Sequence, residues 1–233
     1  MAVQIENLSK RHGSLRVIQD FSLSIQSGEF LSLVGPSGCG KTTLLHLIAG
    51  LESCSSGKIL YGKENPRIGM VFQTPRLLPW RNVAENLMLA MGSDADLERL
   101  ETLMNRVGLP DAMSLYPERL SIGMLRRVSL VRAFAIRPDL LLMDEPMVSL
   151  DAPTARKARE LLVELWKSER QTILFVTHDL REAIELSDRI AFVSSSPMKV
   201  ISEVFVDLPR EDRTQENIES LFMEIGEAAQ KCL

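Results

Sequence analysis

The chain has 233 residues, of which 45% are hydrophobic and 25% charged, and its formal net charge is −4. This length favours one large α/β domain over two independent domains, and the acidic balance disfavours a nucleic-acid partner. No run approaches the roughly 18 apolar residues of a membrane span, and three cysteines, Cys39, Cys54 and Cys232, are too few for a disulfide framework or a zinc site.

The N-terminal region lacks the basic, apolar and small-residue order of a signal peptide, which predicts a cytosolic location.

The same region has the pattern of β-structure. Residues 3–8 and 16–25 are short β-like runs with glycine turns at Gly13 and Gly28. They predict an antiparallel sheet ahead of the next strand, with a further short strand near residues 58–61.

Residues 35–42 fit the phosphate-loop pattern G-x-x-x-x-G-K-[ST], between an apolar strand at residues 30–34 and an apolar helix at residues 43–49. Glycines let such a loop turn its N–H groups inward, the lysine brings positive charge to the terminal phosphates, and the next hydroxyl can hold Mg²⁺. A glycine turn with a chance Lys-Thr pair is the alternative. The predicted phosphate site consists of Gly35, Pro36, Ser37, Gly38, Cys39, Gly40, Lys41, Thr42 and Thr43.

The middle of the chain is predicted to be helical. A β-like run at residues 67–72 ends in Gln73, and two prolines then forbid a regular helix as far as Trp80. From residue 82 to about 137 the pattern is helical, with breaks at Gly92, Gly108 and Pro117. We therefore expect a helical subdomain at about 82–137, inserted into a core of residues 1–81 and 138–233.

Alternation of strands and helices resumes after the helical insertion. Strands are predicted at residues 139–143, 172–177 and 189–194, and helices at residues 153–168, 180–186 and 215–229. Such alternation implies right-handed crossovers and a mostly parallel sheet. The predicted fold is α/β, a phosphate-loop NTPase core with an N-terminal antiparallel β subdomain and an inserted helical subdomain.

Three predicted core strands are followed by Gly35, Asp144 and His178, at the sheet edge where parallel sheets bind ligands. Asp144 is placed to bind Mg²⁺, and Glu145 to polarise a water that attacks the γ-phosphate. His178 can contact a γ-oxygen, and Gln73 is a neutral ligand for Mg²⁺ or water. Taken singly, a solvated strand end, a capping histidine and a polar strand terminus remain alternatives.

Beyond the phosphate loop, the chain carries in order Gln73, Leu120-Ser121-Ile122-Gly123-Met124, Asp144-Glu145-Pro146, Ser149-Leu150-Asp151 and His178. This set resembles the nucleotide-binding subunit of ABC transporters over essentially the whole chain. The resemblance implies an ATPase that uses ATP and Mg²⁺. It also implies a head-to-tail dimer, most simply a homodimer, with two ATP molecules held at the interface.

The resemblance also assigns roles to individual residues. Lys41, Thr42 and the backbone of Gly38 and Gly40 bind phosphate, and Thr42, Gln73 and Asp144 serve the metal. Glu145 is the catalytic base and His178 the γ-phosphate contact. Ser121 and Gly123 act on the nucleotide of the partner subunit, and Asp151 communicates across the dimer.

The chain departs from the family pattern at several positions, among them Met124 at the fifth position of the signature, and two of the departures bear on the nucleotide. The family signature is usually Leu-Ser-Gly-Gly-Gln, and Ile122 replaces its first glycine. A β-branched side chain there is expected to crowd the partner's nucleotide or to exclude a positive φ, which would weaken hydrolysis. His12 stands where the family commonly stacks an aromatic residue on adenine, with Val17 as apolar support; a surface turn residue is the alternative. A weakly catalytic subunit in a heterodimer is therefore an alternative to an active enzyme.

The segment after Gln73 with the sequence Leu77-Leu78-Pro79-Trp80-Arg81-Asn82-Val83 resembles the corresponding segment of bacterial importers of the nitrate, sulfonate and taurine group. In that group we expect the segment near Leu77, Leu78 and Trp80 to contact a separate transmembrane permease, and an extracytoplasmic solute-binding protein to act indirectly. The expected location is the cytoplasmic face of the inner membrane, as a peripheral subunit. Packing of Trp80 within the protein is one alternative, and a soluble ABC ATPase without a transport role is another.

Overall fold

A computed structural model describes residues 1–148 and 150–230, so Ser149 and Cys232 lie outside the described residues. The chain divides into two compact units. The first comprises Met1–Pro66, Leu142–Asp144 and the described part of Gln171–Leu233, and the second comprises Arg67–Leu141 and Glu145–Arg170. No helix in the described ranges is long and apolar enough to cross a membrane.

The elements in chain order are β1 (Val3–His12), β2 (Leu15–Ile25), β3 (Phe30–Val34), α1 (Lys41–Ile48), β4 (Ser56–Tyr61), β5 (Ile68–Val71), α2 (Val83–Met91), α3 (Leu97–Arg106), α4 (Ile122–Ala135), β6 (Leu140–Asp144), α5 (Ala152–Glu169), β7 (Thr172–Thr177), α6 (Leu180–Leu186), β8 (Arg189–Val193), β9 (Val200–Phe205) and α7 (Gln215–Gln230).

The first unit contains a small antiparallel sheet with the order β2-β1-β4. Alternation along β1 buries Val3 and Ile5, and Leu8 is buried beyond a register shift that follows Ile5, as expected for a strand with one solvated face. The predicted N-terminal antiparallel sheet is therefore confirmed, and β4 begins two residues before the predicted strand.

The main sheet of the first unit has the order β6-β7-β3-β8-β9. Strand β3 pairs in parallel with both β7 and β8, and all five of its residues are buried. Such fully apolar strands are typical of parallel sheets covered on both faces. The sheet is mostly parallel, as predicted, but β9 was not predicted. It pairs antiparallel with β8 at the end of the strand order.

The second unit is mainly helical. Helix α2 begins with a capping box, in which the Asn82 side chain accepts from Glu85 N and the Glu85 side chain accepts from Asn82 N. Gly92 and Gly108 have positive φ after α2 and α3, so the predicted breaks at both glycines are confirmed. The largest buried side chains in this unit include Phe134 and Trp166.

Candidate nucleotide site

The phosphate loop connects β3 to the first residue of α1, and its glycines have specific backbone roles. Gly38 and Gly40 have φ values of 77° and 115°, which favour glycine. Gly35 is needed for space, because a Cβ there would lie 2.4 Å from Val193 Cγ2. Cys39 is only 2% exposed, with its sulfur 4.0 Å from that of Met198, so its side chain packs inward. Cys39 therefore does not project from the loop toward a bound phosphate.

Lys41 is held over this loop by backbone oxygens. Its Nζ donates to the carbonyls of Gly35 at 2.8 Å and Pro36 at 2.9 Å, and the side chain is buried. Gly40 precedes α1 and has no side chain that could cap the helix N–H groups. A buried ammonium group beside a helix N-terminus creates positive potential suited to a phosphate.

Asp144 meets the phosphate loop, as predicted from its place at the end of β6. The Thr42 hydroxyl donates to the Asp144 carboxylate, at 2.9 and 3.1 Å from its two oxygens. Asp144 is buried, whereas Thr42 is exposed. A hydroxyl and a carboxylate are hard oxygen donors that fit Mg²⁺, whose other ligands are usually water and substrate phosphate. Across the described ranges, no group of three or more His, Cys, Asp or Glu side chains is placed to hold a metal.

Strand register places His178 at the same edge of the sheet as the phosphate loop. Val34 and Thr177 are partners in the parallel pairing of β3 with β7, so Gly35 and His178 each follow a paired strand end. His178 is exposed. The next residue, Asp179, donates its backbone N–H to the Thr177 hydroxyl and caps α6 through its side chain, which fixes the turn that carries the imidazole.

The residues predicted to support the base lie on β1 and β2. Val17 packs beside the phosphate loop, because a Cβ on Gly40 would lie 2.8 Å from Val17 Cγ1. His12 is exposed at the end of β1, and its Nε2 lies 3.8 Å from a carboxylate oxygen of Glu52. Lys10 pairs with the same carboxylate at 3.1 Å.

Glu52 was not predicted from the sequence. Its carboxylate lies within 3.8 Å of three basic side chains, those of Lys10, His12 and His46. Burial alone raises the pKa of Glu52, but hydrogen bonds from Lys10 and His46, together with the positive charges of Lys10 and His12, outweigh it, so the pKa lies below its ordinary value. The carboxylate is therefore kept ionised next to His12.

In the second unit, Gln73 is exposed two residues after β5. Glu145, the residue after Asp144, begins a turn closed by a 3.2 Å hydrogen bond from Val148 N to Glu145 O. Glu145 has a φ of 42°, a left-handed backbone that is uncommon for a residue with a side chain. Such conformations persist where the surrounding structure holds them, often at functional sites.

The signature segment forms the start of α4. Ser121 is its N-cap, and the Ser121 hydroxyl accepts from Met124 N at 3.3 Å. Ile122 is the first residue of the α-helix, so one of the two effects expected of a β-branched side chain, exclusion of a positive φ, does not apply: the cap at Ser121 places this position in right-handed helix. Its side chain is 53% exposed. Crowding of a partner's nucleotide stays a prediction.

Gly123 and Asp151 both lie close to Thr154. A Cβ on Gly123 would lie 3.3 Å from Thr154 Cγ2, and Asp151 caps α5 by accepting from Thr154 N at 3.1 Å. Hydrogen bonds from Thr154 lower the pKa of Asp151. The predicted signature and interface residues of this unit therefore come together around the starts of α4 and α5.

The predicted permease segment is strongly exposed at its end, where Trp80 is 71% exposed. A residue missed by the sequence analysis, Asn86, organises this segment. Asn86 is buried on α2, accepts from Leu78 N at 2.7 Å and donates to the carbonyls of Leu78, Arg81 and Asn82. The sequence signal that could have identified Asn86 is its position as a polar residue on the apolar face of α2.

The sheet, the phosphate loop and the Thr42–Asp144 contact define a phosphate-loop NTPase. Residues 18–148 match the family model described as ABC transporter. The aliphatic sulfonates import ATP-binding protein SsuB of Zymomonas mobilis is 40% identical over 215 residues, which cover 90% of this chain and 89% of that protein. The SsuB protein of Burkholderia ambifaria is 42% identical, over 90% of this chain and 66% of that longer protein.

A solved dimeric structure of an ATP-binding cassette in a post-hydrolysis state, bound to ADP and phosphate, superimposes with a TM-score of 0.76 at 28% identity. The match covers 88% of this chain and 98% of that one. The chain belongs to the ABC transporter family, as one of its ATP-binding cassettes.

Proposed function

We propose that this cassette binds ATP with Mg²⁺ and couples its hydrolysis to the import of a small organic anion, with aliphatic sulfonates as the leading substrate class. The contact that carries the chemical part is the one between Thr42 and Asp144, which brings two hard oxygen donors together at the first turn of α1, the helix that Lys41 begins. The named function of the SsuB relatives supports the transport part.

In this proposal the backbone of residues 35–43 and Lys41 bind the ATP phosphates, while Thr42, Gln73 and Asp144 hold the metal. Mg²⁺ supplies charge neutralisation at the phosphate oxygens when it is bound. Glu145 takes the proton of the attacking water, and His178 contacts the γ-phosphate. His12 and Val17 receive the adenine.

The signature residues Ser121 and Gly123 serve the nucleotide of a second subunit in a head-to-tail dimer, most simply a homodimer, and Asp151 communicates across it. Two observations support this arrangement. The N-terminus of α4 carries the partial positive charge that favours a γ-phosphate, and the solved cassette is described as dimeric.

Leu77, Leu78 and Trp80 form the contact with a separate transmembrane permease, which holds the cassette at the cytoplasmic face of the inner membrane. An extracytoplasmic solute-binding protein acts with the permease. Trp80 is exposed, and Asn86 fixes the backbone of the same segment by a hydrogen bond from Leu78 N. An ordered segment with an exposed apolar side chain favours this transport role over a soluble ABC ATPase. The ordinary helical backbone at Ile122 removes one of the two reasons for expecting a weakly catalytic subunit.

The enzymatic part is tested by steady-state ATPase activity of the purified chain, Glu145→Gln and Ile122→Gly over a range of protein concentrations. We expect turnover that rises with concentration and falls at least about 100-fold in Glu145→Gln, because the water loses its base. Glu145→Gln activity equal to that of the parent would contradict the assignment. Near-zero parental activity restored by Ile122→Gly would instead support the weakly catalytic alternative.

The transport part is tested by deleting the gene in its source organism and supplying an alkanesulfonate, taurine or nitrate as the only source of sulfur or nitrogen. Loss of growth on the alkanesulfonate, restored by the parent but not by Glu145→Gln, is the expected result. Trp80→Ala is expected to retain ATPase activity in solution and fail to restore growth. Normal growth of the deletion strain on every solute would refute the importer assignment.

A further inference from the structure

Arg126 lies in the second turn of α4 and makes an unusual pair of contacts. Its guanidinium donates to the backbone carbonyl of Gln73 and, through the other terminal nitrogen, to the carbonyl of Val148 at 3.1 Å. The three residues are far apart in sequence, and all lie within the second unit. One planar cation therefore joins the helix that begins at Ser121 to two separate loops.

The guanidinium is buried, since Arg126 is only 7% exposed. Burial lowers the pKa of Arg126 by disfavouring the charged form, and its buried Nε has no hydrogen-bond partner among the described atoms. The two carbonyls are therefore the contacts that offset the loss of hydration. A buried cation arranged in this way is costly for a purely scaffolding position, which a leucine or methionine side chain would fill without desolvating a charge.

Both carbonyls belong to segments that carry groups of the proposed reaction. The first is the carbonyl of Gln73 itself. The second ends the turn that starts at Glu145, because Val148 N donates to Glu145 O at 3.2 Å while Val148 O accepts from Arg126. Glu145 keeps its left-handed backbone inside that turn. Fixing the far end of such a turn restricts the rotations that would release the strained residue.

We propose that Arg126 is a positioning residue for hydrolysis, holding the backbone of Gln73 and the turn of Glu145 in fixed relation to the signature helix. The proposal rests on the roles given to Gln73 and Glu145 above. The side chain acts through backbone carbonyls and touches neither nucleotide nor water. The fork of a guanidinium suits two carbonyls from different segments, which a single ammonium group serves less well.

Two other arginines, Arg132 and Arg99, allow positioning of the two loops to be distinguished from simple support of helix α4. Arg132, also on α4, donates to the carbonyls of Arg76 at 2.7 Å and Pro75 at 2.8 Å, so it holds the segment after Gln73 but not the Glu145 turn. Arg99, on α3, donates to the carbonyls of Phe134 and Ala135 at the other end of α4. Arg99→Gln therefore removes two hydrogen bonds to carbonyls of α4, together with an ion pair to Glu169 at 2.7 Å, and leaves both loops untouched.

Hydrogen exchange of the full chain tests the positioning directly and needs no ATPase activity. In Arg126→Gln we expect amides in the peptides that contain residues 74–77 and 146–148 to exchange about tenfold faster than in the parent, because each loop loses a charge-assisted anchor. Arg99→Gln should leave these peptides within about twofold of the parent. Unchanged exchange in Arg126→Gln, or an equal rise in Arg99→Gln, would overturn the proposal.

Kinetics then test whether the positioning serves hydrolysis. Arg126→Gln is expected to lower kcat about tenfold while KM for ATP stays within about twofold, since the residues of the phosphate loop are unchanged. Arg126→Lys should recover part of kcat, and it replaces Arg126→Gln should that variant not fold. A loss of kcat equal to that of Arg99→Gln, or a rise in KM alone, would assign Arg126 a structural role.

The exchange and kinetic experiments together distinguish failure of the positioning role of Arg126 from failure of the proposed function on which it rests. A parent protein without ATP turnover would contradict the proposed function, whatever the exchange data show. A parent that hydrolyses ATP, with exchange and kcat unaffected by Arg126→Gln, would contradict the positioning role and leave the proposed function intact.

Discussion

Gly40 is the loop position where an added methyl group has the most specific expected effect. Its φ of 115° lies outside the regions that residues with side chains readily adopt. A Cβ would also lie 2.8 Å from Val17 Cγ1, whereas ordinary contact begins at 3.4 Å, so the two carbons must separate by 0.6 Å (3.4 − 2.8). Val17 is buried and β-branched, which leaves its side chain few alternatives.

Gly40→Ala should therefore combine two costs. The backbone conformation contributes about 1–2 kcal/mol and overpacking against Val17 about 1–2 kcal/mol, so the free energy of unfolding should fall by about 2–4 kcal/mol. Relaxation of the loop should also weaken ATP binding, because the N–H groups that face the phosphates move with Gly40.

Urea unfolding of the parent, Gly40→Ala, Val17→Ala and the double variant measures the two costs separately. Removing the Val17 methyls relieves the contact but not the backbone, so Gly40→Ala should cost about 1–2 kcal/mol less in the Val17→Ala background. Binding of a fluorescent ATP analogue provides the second measurement. Equal costs in the two backgrounds would refute the steric argument, and a Gly40→Ala protein as stable as the parent would refute both parts.

Three further outcomes are expected. Gly123→Ala places a Cβ 3.3 Å from one methyl group of Thr154, so the free energy of unfolding should change by less than about 1 kcal/mol while ATPase turnover falls; unchanged turnover would argue against the signature role. Because folding lowers the pKa of Glu52, its ionised carboxylate stabilises the folded state at pH values above the ordinary pKa of 4.5. This stabilisation is lost as the pH falls through the lower pKa of the folded state. The melting temperature of Glu52→Gln should therefore lie below that of the parent near neutral pH and approach it in acid, and a constant difference would contradict the reasoning. Burial raises the pKa of Tyr61, whose hydroxyl donates to the end of α1, so stability from its neutral form is present below its ordinary pKa of 10 and lost as pH rises through the higher folded-state value. Tyr61→Phe should therefore lose less stability than the parent as pH rises above 10, as measured by melting temperature, and an equal loss in both proteins would contradict the reasoning.

The parts of the site that could be predicted are those set by local sequence or by a general rule of sheet topology. The phosphate loop follows from glycine and lysine spacing, and β7 was predicted at Thr172–Thr177 because its apolar residues lie between clear breaks. The meeting of Thr42 with Asp144 followed from the rule that parallel strands end at one edge. The first two conclusions depend on a few neighbouring residues, and the third on a general rule of sheet topology that joins residues distant in sequence.

Features set by distant contacts were not predictable. Strand β9 has no buried residue and alternates half-buried with exposed residues only over its last four positions, which is a weak pattern; it forms by pairing with β8. The backbone at Ile122 was misjudged because the helix start is fixed by the Ser121 cap, which outweighs comparison with the family's glycine. Arg126 carried no sequence signal, since its partners are backbone carbonyls that any residue could supply.

The left-handed backbone of Glu145 sets stability and activity against each other at one position. Glycine or asparagine would adopt a φ of 42° with less strain, so such a substitution is expected to stabilise the chain or to cost little. The same change removes the carboxylate proposed to activate water. Selection for thermal stability alone would therefore favour inactive variants at this position. Engineering a more stable cassette has to keep Glu145 and introduce stabilising substitutions at other positions.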